Sequence, residues 1–221
     1  YTSCGWFFTE LSGLETVQIL QYASRAIQLA QDVTGALLEE AFVERLSHAK
    51  SNVGQFKDGR GVYEQHVRPA MVTVPRIVSA YVIGSTVGGM YETEEIVDLY
   101  SFQLRVLHQR KESHGDLTLN IGRIRVNSRV TWEEHDLVFV CAQVGLYDFR
   151  CSVKPFTDMA DLERLEREFV EELHTLHVVE LFRKLDDYFG ETYYALADLP
   201  LEERKRIITI LTKETLEQIN T

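Results

Sequence analysis

Cysteine, proline, methionine and tryptophan are scarce in this sequence, and negative charge outweighs positive charge. The 221 residues include 3 Cys, 4 Pro, 3 Met and 2 Trp, and the formal net charge is −11. A strongly acidic chain repels phosphates, so the charge argues against binding to nucleic acid or to an anionic membrane surface. No apolar run approaches the roughly 18 residues that a bilayer span needs. We therefore expect neither a nucleic acid nor a membrane as a partner.

The three cysteines are Cys4, Cys141 and Cys151, and they form no C-x-x-C motif. A sparse, odd count is untypical of a secreted disulfide scaffold. Without paired cysteines, neither a zinc knuckle nor a thioredoxin-type site can form. This usage predicts free thiols and a reducing, cytoplasmic location.

Catalytic motifs are also lacking. The sequence contains no glycine-rich phosphate loop, no G-x-S-x-G and no H-E-x-x-H. His174 and His177 could share one face of a predicted helix, but no third ligand is placed near them, so solvated or capping imidazoles are favoured over a metal pair. The acidic run at 158–174 interleaves Glu with Arg, which is typical of an ion-paired helix face. We expect no metal and no cofactor.

What the sequence does contain is a clear change of hydrophobic period. The period is helical up to about residue 92, close to two at about 97–155, and helical again at about 158–174, 174–188 and 200–218. This pattern predicts an α+β fold with N-terminal helices, a four- to five-stranded antiparallel sheet and C-terminal helices. We treat 1–221 as a single domain with a helical part at 1–92, a β part at 93–156 and a helical part at 157–221.

Local signals predict where the first helices begin and break. The tetrapeptide S-G-L-E indicates a capping box, with Ser12 as the N-cap and Glu15 reaching back to its amide. Pro69 and Pro75 lie within a helical stretch at 62–87 and predict kinks or breaks there.

Two features of the sheet region carry register information. The alternation of apolar residues changes parity between Ile121 and Ile124, and Gly122 at the change predicts a β-bulge. Cys141 and Cys151 are equidistant from Leu146, the centre of a predicted hairpin turn, so we expect them to face each other across the hairpin. A redox pair is one interpretation, and two packed thiols are the one that a reducing compartment favours.

Two stretches are candidate binding sites. The first is Trp6, Phe7, Phe8 and Glu10, because aromatic faces stack on sugar rings and a nearby carboxylate accepts hydrogen bonds from sugar hydroxyls. An aromatic plug in a domain interface is the favoured alternative. The linker to Ser12 is too short to bring all three rings onto one face of the helix, so at least one ring should point away and stay exposed.

The second stretch is a glycine-rich loop that carries polar side chains. Asn52, Asp58, Arg60 and Tyr63 lie on or beside it and could converge on a ligand. The equally weighted alternative is a capped turn that begins the next helix.

The residues at these two places resemble a known family. The stretches YTSCGWFFTELSGLETVQILQYASRAIQLA and AKSNVGQFKDGRGVYEQHVRPAMV resemble the C-terminal region of a subgroup of glycoside hydrolase family 57, and GETYYALADLPLEERKRIITIL resembles the end of that region. In that subgroup an uncharacterised domain follows the catalytic domain. The resemblance covers nearly the whole chain.

The resemblance implies a non-catalytic domain that packs on an N-terminal catalytic barrel of the same polypeptide and helps wall its α-glucan cleft. It implies that the full-length protein is a glycoside hydrolase or glucanotransferase with retaining chemistry. No residue of this chain matches the catalytic carboxylates of that barrel, so none is assigned. The alternatives are a stand-alone carbohydrate- or protein-binding regulatory module and an independent hydrolase with its own carboxylate pair.

We expect this chain alone to have no glycosidase activity, because the catalytic carboxylates of the family it resembles lie on the barrel. Incubation with starch, glycogen and aryl α-glycosides measures this directly. Turnover that is abolished by a single carboxylate substitution within this chain would contradict the expectation.

Overall fold

The computed structural model describes residues 4–7, 9–88, 90–91 and 95–219, with the backbone alone at Cys4, Trp6 and 214–219. The chain divides into two compact units, one up to Met71 and one from Val72 onward. The first unit is helical, and its elements are α1 (Cys4–Phe7), α2 (Leu14–Thr34), α3 (Glu39–Leu46) and α4 (Gly59–Val62). A single π turn (Tyr63–Val67) and a 3₁₀ turn (Arg68–Ala70) continue from α4.

The core of the first unit is small and lies between α2, α3 and the helical turns that follow the glycine-rich loop. Its buried apolar side chains are Leu20, Val43, Phe56, Val62, Tyr63 and Val67. Helix α2 buries only Thr16, Leu20 and Ser24. Most of its 21 residues are therefore half-buried or exposed.

The start of α2 differs from the predicted capping box. The N-cap is Gly13, and no side chain caps this end. The Ser12 hydroxyl and amide both donate to Glu10 Oε1 instead, at 3.1 and 3.0 Å. The capping-box prediction is wrong because Glu10 competes for the groups that Ser12 would use as a cap.

The helical stretch predicted at 62–87 is broken, as the prolines indicated. Pro69 lies in the 3₁₀ turn and Pro75 lies in the first turn of α5 (Val74–Val87). A proline in the first helical turn is tolerated because its missing N–H would have no partner there. The break therefore coincides with the change from the first unit to the second.

The second unit contains one antiparallel sheet between helices. The strands are β1 (Ile96–Leu99), β2 (Phe102–His114), β3 (Leu117–Ser128), β4 (Glu134–Val144) and β5 (Asp148–Pro155), and their order in the sheet is that of the chain. The helices after the sheet are α6 (Met159–Thr175), α7 (Val178–Phe189) and α8 (Leu201–Ile219), with a 3₁₀ turn at Leu196–Asp198. The predicted α+β fold, with helices, sheet and helices in that order, is confirmed.

Both faces of this sheet are covered by helices at its central strands, β3 and β4. One face packs with α5 and α8 in a core that includes Ile83, Ile124, Phe139, Ile207 and Leu211. The other face packs with α6 and α7 in a core that includes Leu119, Ile121, Val140, Leu165, Phe169 and Leu181. The unit thus has three layers, and its central strands bury side chains in both directions.

The two-sided burial explains the change of parity in β3 without a bulge in that strand. Ile121 faces the α6–α7 core and Ile124 faces the α5–α8 core, so both are buried in a regular strand. The register shift lies in β2 instead, where Leu107 is the extra residue between Val106 and His108. The bulge that was predicted in β3 at Gly122 therefore lies in the neighbouring strand, β2.

Gly122 nevertheless marks a close approach to the bulged strand. A Cβ atom added at Gly122 would lie 2.2 Å from the His108 carbonyl oxygen and 2.7 Å from Phe139 Cζ. Non-bonded heavy atoms cannot approach so closely, so the β2 backbone has space to pass only because residue 122 has no side chain.

The histidines that could have formed a metal pair do not share a helix. His174 lies in the last turn of α6, whereas His177 is the N-cap of α7. Leu176 between them adopts a left-handed conformation, with φ of 54°, and ends α6. Both imidazoles are largely exposed, as expected for solvated side chains, whereas that of His177 makes no capping hydrogen bond.

Among the described residues, no single helix has the length and apolar composition needed to cross a bilayer. Among the same residues, the consecutive segments 59–70 and 74–87 together have that length and composition, but the chain bends by 53° between them.

Gly122→Ala is expected to lower the free energy of unfolding by about 1–3 kcal/mol, because the new methyl group forces the β2 backbone or the Phe139 ring to move. Urea denaturation measures the change. Gly54→Ala is the matched control, since a Cβ there meets no atom within 4 Å. Equal stability of Gly122→Ala and the parent protein would contradict this account of the bulge.

Candidate functional site

Glu10 joins the two candidate stretches of the sequence. Its Oε1 accepts a hydrogen bond of 2.7 Å from the Ser51 hydroxyl, and its Oε2 accepts one of 2.8 Å from the Asn52 amide. These contacts are additional to the two from Ser12. We call Glu10, Ser12, Ser51 and Asn52 the Glu10 cluster. The carboxylate thus ties the segment before α2 to the loop after α3.

Asn52 strengthens the same junction through its side chain. Its Nδ2 donates a hydrogen bond of 2.6 Å to the Thr9 carbonyl oxygen. The loop therefore donates to the N-terminal segment at both a carboxylate and a backbone carbonyl. Two independent contacts fix the orientation of this segment better than one contact would.

The hydrogen bonds to Glu10 hold its carboxyl in the ionised form. The Ser51 hydroxyl, followed by the Ser12 amide, lowers the pKa of Glu10 from its usual 4.5 to about 2. All the donors favour the charged form, because a protonated carboxyl is a weaker acceptor. Glu10 is therefore an acceptor at neutral pH and is unsuited to act as a general acid.

The other three candidates on the glycine-rich loop have structural contacts. Asp58 is the N-cap of α4, and its Oδ1 accepts a hydrogen bond of 3.2 Å from the Gly61 amide. Arg60 forms an ion pair with Glu44. The loop is tightly packed at Gly61, where a Cβ would lie 2.0 Å from the Phe56 carbonyl oxygen. The interpretation as a capped turn therefore describes this part of the loop well.

Tyr63 lies in the core of the first unit rather than on its surface. It is fully buried, and its ring meets the edge of Phe42 with 5.9 Å between centroids. Burial, followed by the neighbouring Glu39 carboxylate, raises the pKa of Tyr63 to about 12. Its hydroxyl is therefore neutral at physiological pH.

Of the three aromatic side chains in the first candidate stretch, the structure describes only that of Phe7. This side chain is 71% exposed at the end of α1, which meets the expectation that at least one of the three rings remains exposed. Phe8 and the side chain of Trp6 lie outside the described residues. Phe7 and the Glu10 cluster together are what the structure shows of the candidate site.

Sequence reasoning missed a strongly exposed tryptophan, Trp132. It lies in the turn between β3 and β4, has a φ of 61° and is 88% exposed. Val130 in the same turn is 53% exposed. The available signal was an aromatic residue placed where a turn usually carries Gly, Asn, Asp or Ser.

The described residues contain no group of three or more His, Cys, Asp and Glu side chains that could hold a metal ion. His174 packs its ring edge against His114, with 5.7 Å between centroids, and its Nε2 lies 3.7 Å from Glu112. His177 Nδ1 lies 3.9 Å from Glu172. Both histidines therefore have packing or ion-pair neighbours.

Asp136 and Asp161 are both paired with cations. Asp136 accepts two hydrogen bonds of 2.8 Å from Arg123, and this pairing lowers the pKa of Asp136. The pKa of Asp161 is also lowered, against the effect of burial, by hydrogen bonds from Lys154 and Arg164. A glycosidase acid needs the opposite shift, toward a raised pKa, so neither group is tuned for that role.

The depressed pKa of Glu10 predicts how stability depends on pH. Because the pKa in the folded state lies below the usual value, the ionised Glu10 stabilises the fold fully above about pH 4.5. That stabilisation is lost as the pH falls toward the folded-state pKa of about 2. Glu10→Gln should therefore be less stable than the parent at pH 7, and the difference should shrink between pH 4.5 and 2.

Thermal denaturation of both proteins across this pH range measures the difference. Glu15→Gln is the matched control, since Glu15 was the predicted capping partner and lies outside the Glu10 cluster. A stability difference between Glu10→Gln and the parent that does not change from pH 7 to pH 2 would contradict the account.

Comparison with known proteins gives one family match. Residues 1–200 match the family described as Domain of unknown function (DUF3536). No curated protein and no solved structure matches the chain. The match covers most of the 221 residues and includes both the Glu10 cluster and the whole sheet. The chain is a member of the DUF3536 family.

Proposed function

We propose that this domain is a non-catalytic accessory domain of a glycoside hydrolase family 57-type enzyme. In this proposal it packs on the catalytic barrel of the same polypeptide and helps wall an α-glucan cleft. The sequence resemblance described above is one support. The single structural observation that carries the proposal is the Glu10 cluster, which fixes the segment that follows an exposed aromatic side chain.

The physical argument concerns the entropy cost of binding. An aromatic ring on a loose chain end loses conformational freedom when it docks, and this loss weakens binding. Thr9 and Glu10 are held by Asn52 and Ser51, so the chain is anchored within three residues of Phe7. An anchored, exposed aromatic ring is suited to stack on a sugar ring or to fill a pocket of a partner domain.

Four carboxyl groups of this chain are unsuited to act as the acid of an independent hydrolase. A retaining glycosidase needs two carboxyls roughly 5–5.5 Å apart, one of which has a raised pKa. Glu10, Asp136, Asp161 and Glu180 all have lowered pKa values, each with hydrogen-bond donors that stabilise the charge. These groups are therefore suited to structural contacts.

Trp132 supports a second candidate function, a carbohydrate- or protein-binding regulatory module. Exposed tryptophan is enriched among residues that dominate binding energy. A ring that is 88% exposed in a turn contributes little to the stability of its own unit. This surface lies in the second unit, so substitutions can separate it from the Phe7 surface.

Phe7→Ala is expected to weaken association with a catalytic barrel encoded in the same gene by about 10-fold or more, because truncation of a central aromatic contact typically costs about 2 kcal/mol. The barrel and this domain can be produced separately, and calorimetry then gives their dissociation constant. Soluble starch and maltoheptaose added to each protein test for direct glucan binding.

Tyr22→Ala is the matched control, because Tyr22 is also aromatic and 62% exposed in the first unit but lies outside the Glu10 cluster. Trp132→Ala tests the second candidate. Loss of binding in Trp132→Ala alone would favour the regulatory module. A gene that encodes no barrel, or equal binding by Phe7→Ala and the parent, would overturn the proposal.

A further inference from the structure

Cys141 and Cys151 are direct register partners in the β4–β5 hairpin. The predicted facing arrangement is therefore confirmed. Both residues are fully buried in the core beneath α5 and α8, and both thiols are free. Since partners in an antiparallel ladder share one face of the sheet, the two sulfur atoms lie on the same side.

The hydrogen bonds of Cys151 show which type of pair this is. Its amide donates to the Tyr194 carbonyl oxygen at 2.9 Å, and its carbonyl oxygen accepts from the Tyr194 amide at 2.7 Å. Because the N–H and C=O of one strand residue point to the same side, Cys151 turns both of them away from Cys141. The two cysteines therefore form a non-hydrogen-bonded pair.

Non-hydrogen-bonded pairs bring opposite residues closest together. Their Cα atoms lie about 4.5 Å apart, and disulfides span Cα separations of about 4.4–6.8 Å. The hairpin thus presents two thiols at a spacing that a disulfide can bridge with the strand register unchanged.

We propose that Cys141 and Cys151 are a disulfide site, which closes by exchange with a small-molecule disulfide such as glutathione disulfide. This inference is independent of the proposed function, because it rests on the β4–β5 hairpin and its contacts with Tyr194, all within the second unit.

The exchange balances in two steps. One cysteine loses its proton to solvent, and its thiolate attacks a sulfur of glutathione disulfide, which gives a mixed disulfide and a glutathione thiolate that takes up a proton. The second cysteine then loses its proton and attacks the protein sulfur of the mixed disulfide, releasing a second glutathione. The two cysteines are oxidised to one disulfide, and one glutathione disulfide is reduced to two thiols.

The cysteine pair lies beneath α5, where Thr86 is a hydrogen-bond neighbour of Cys141, and beside the segment that contains Tyr194. This segment pairs with β5 at Cys151, and Leu196 and Leu199 pack into the same core as the cysteines. Burial, followed by the neighbouring Cys151 thiol, raises the pKa of Cys141, so few thiolates exist while the pair is buried. Exchange in the folded protein therefore requires α5 or this segment to open locally, and it should be slow.

The test uses a Cys4→Ser variant, in which the pair supplies the only two cysteines. The folded protein and the same chain in urea are equilibrated at a series of glutathione to glutathione disulfide ratios, quenched with acid and weighed by intact mass spectrometry. We expect the folded protein to lose the mass of two hydrogen atoms. Half-conversion should require at least ~10-fold less oxidising conditions than in urea, because folding raises the effective concentration of one thiol at the other.

Cys141→Ser on the same background is the control and should show no such loss of mass. The comparison between folded and unfolded states of one chain keeps the test valid even if this control is unstable. A folded protein that retains both thiols at ratios that close the bond in urea would overturn the proposal, as would one that stops at the mixed disulfide.

Discussion

The candidate site depends on the hydrogen bonds that the ionised carboxylate of Glu10 accepts. Four hydrogen bonds converge on it, two from Ser12 and one each from Ser51 and Asn52. The partners on the loop lie 41 and 42 residues further along the chain, so one side chain closes a long loop. A charged acceptor that receives several donors is stronger than a neutral one, which explains why the segment before α2 has a defined position.

The sheet was predictable because its signals are local. The period-two pattern identified the strands, and the symmetry of the sequence about Leu146 gave the register that pairs Cys141 with Cys151. The bulge was misplaced because a change of parity has two physical causes, an extra residue or burial on both faces. Ile121 and Ile124 reflect the second cause, and sequence alone does not tell which face a helix will cover.

The two parts of the candidate site could be predicted from the sequence, but the contact between them could not. Aromatic and carboxylate residues marked one half, and a polar glycine-rich loop marked the other, but their meeting at Glu10 depends on tertiary packing. The same contact explains the failed capping box, because local propensity at Ser12 is overridden by a carboxylate held in place by Ser51 and Asn52. Trp132 was missed because an aromatic residue in a turn breaks the local rule that was used to find turns.

The central claim is that Glu10 is held as a carboxylate by its four donors. The most direct measurement is a titration of the Glu10 carboxyl carbon by nuclear magnetic resonance, on protein labelled with ¹³C at glutamate and assigned with Glu10→Gln. The account predicts a pKa of about 2. A pKa near the usual 4.5 would show that the hydrogen bonds to Ser51 and Asn52 do not hold the site together, and would contradict the account.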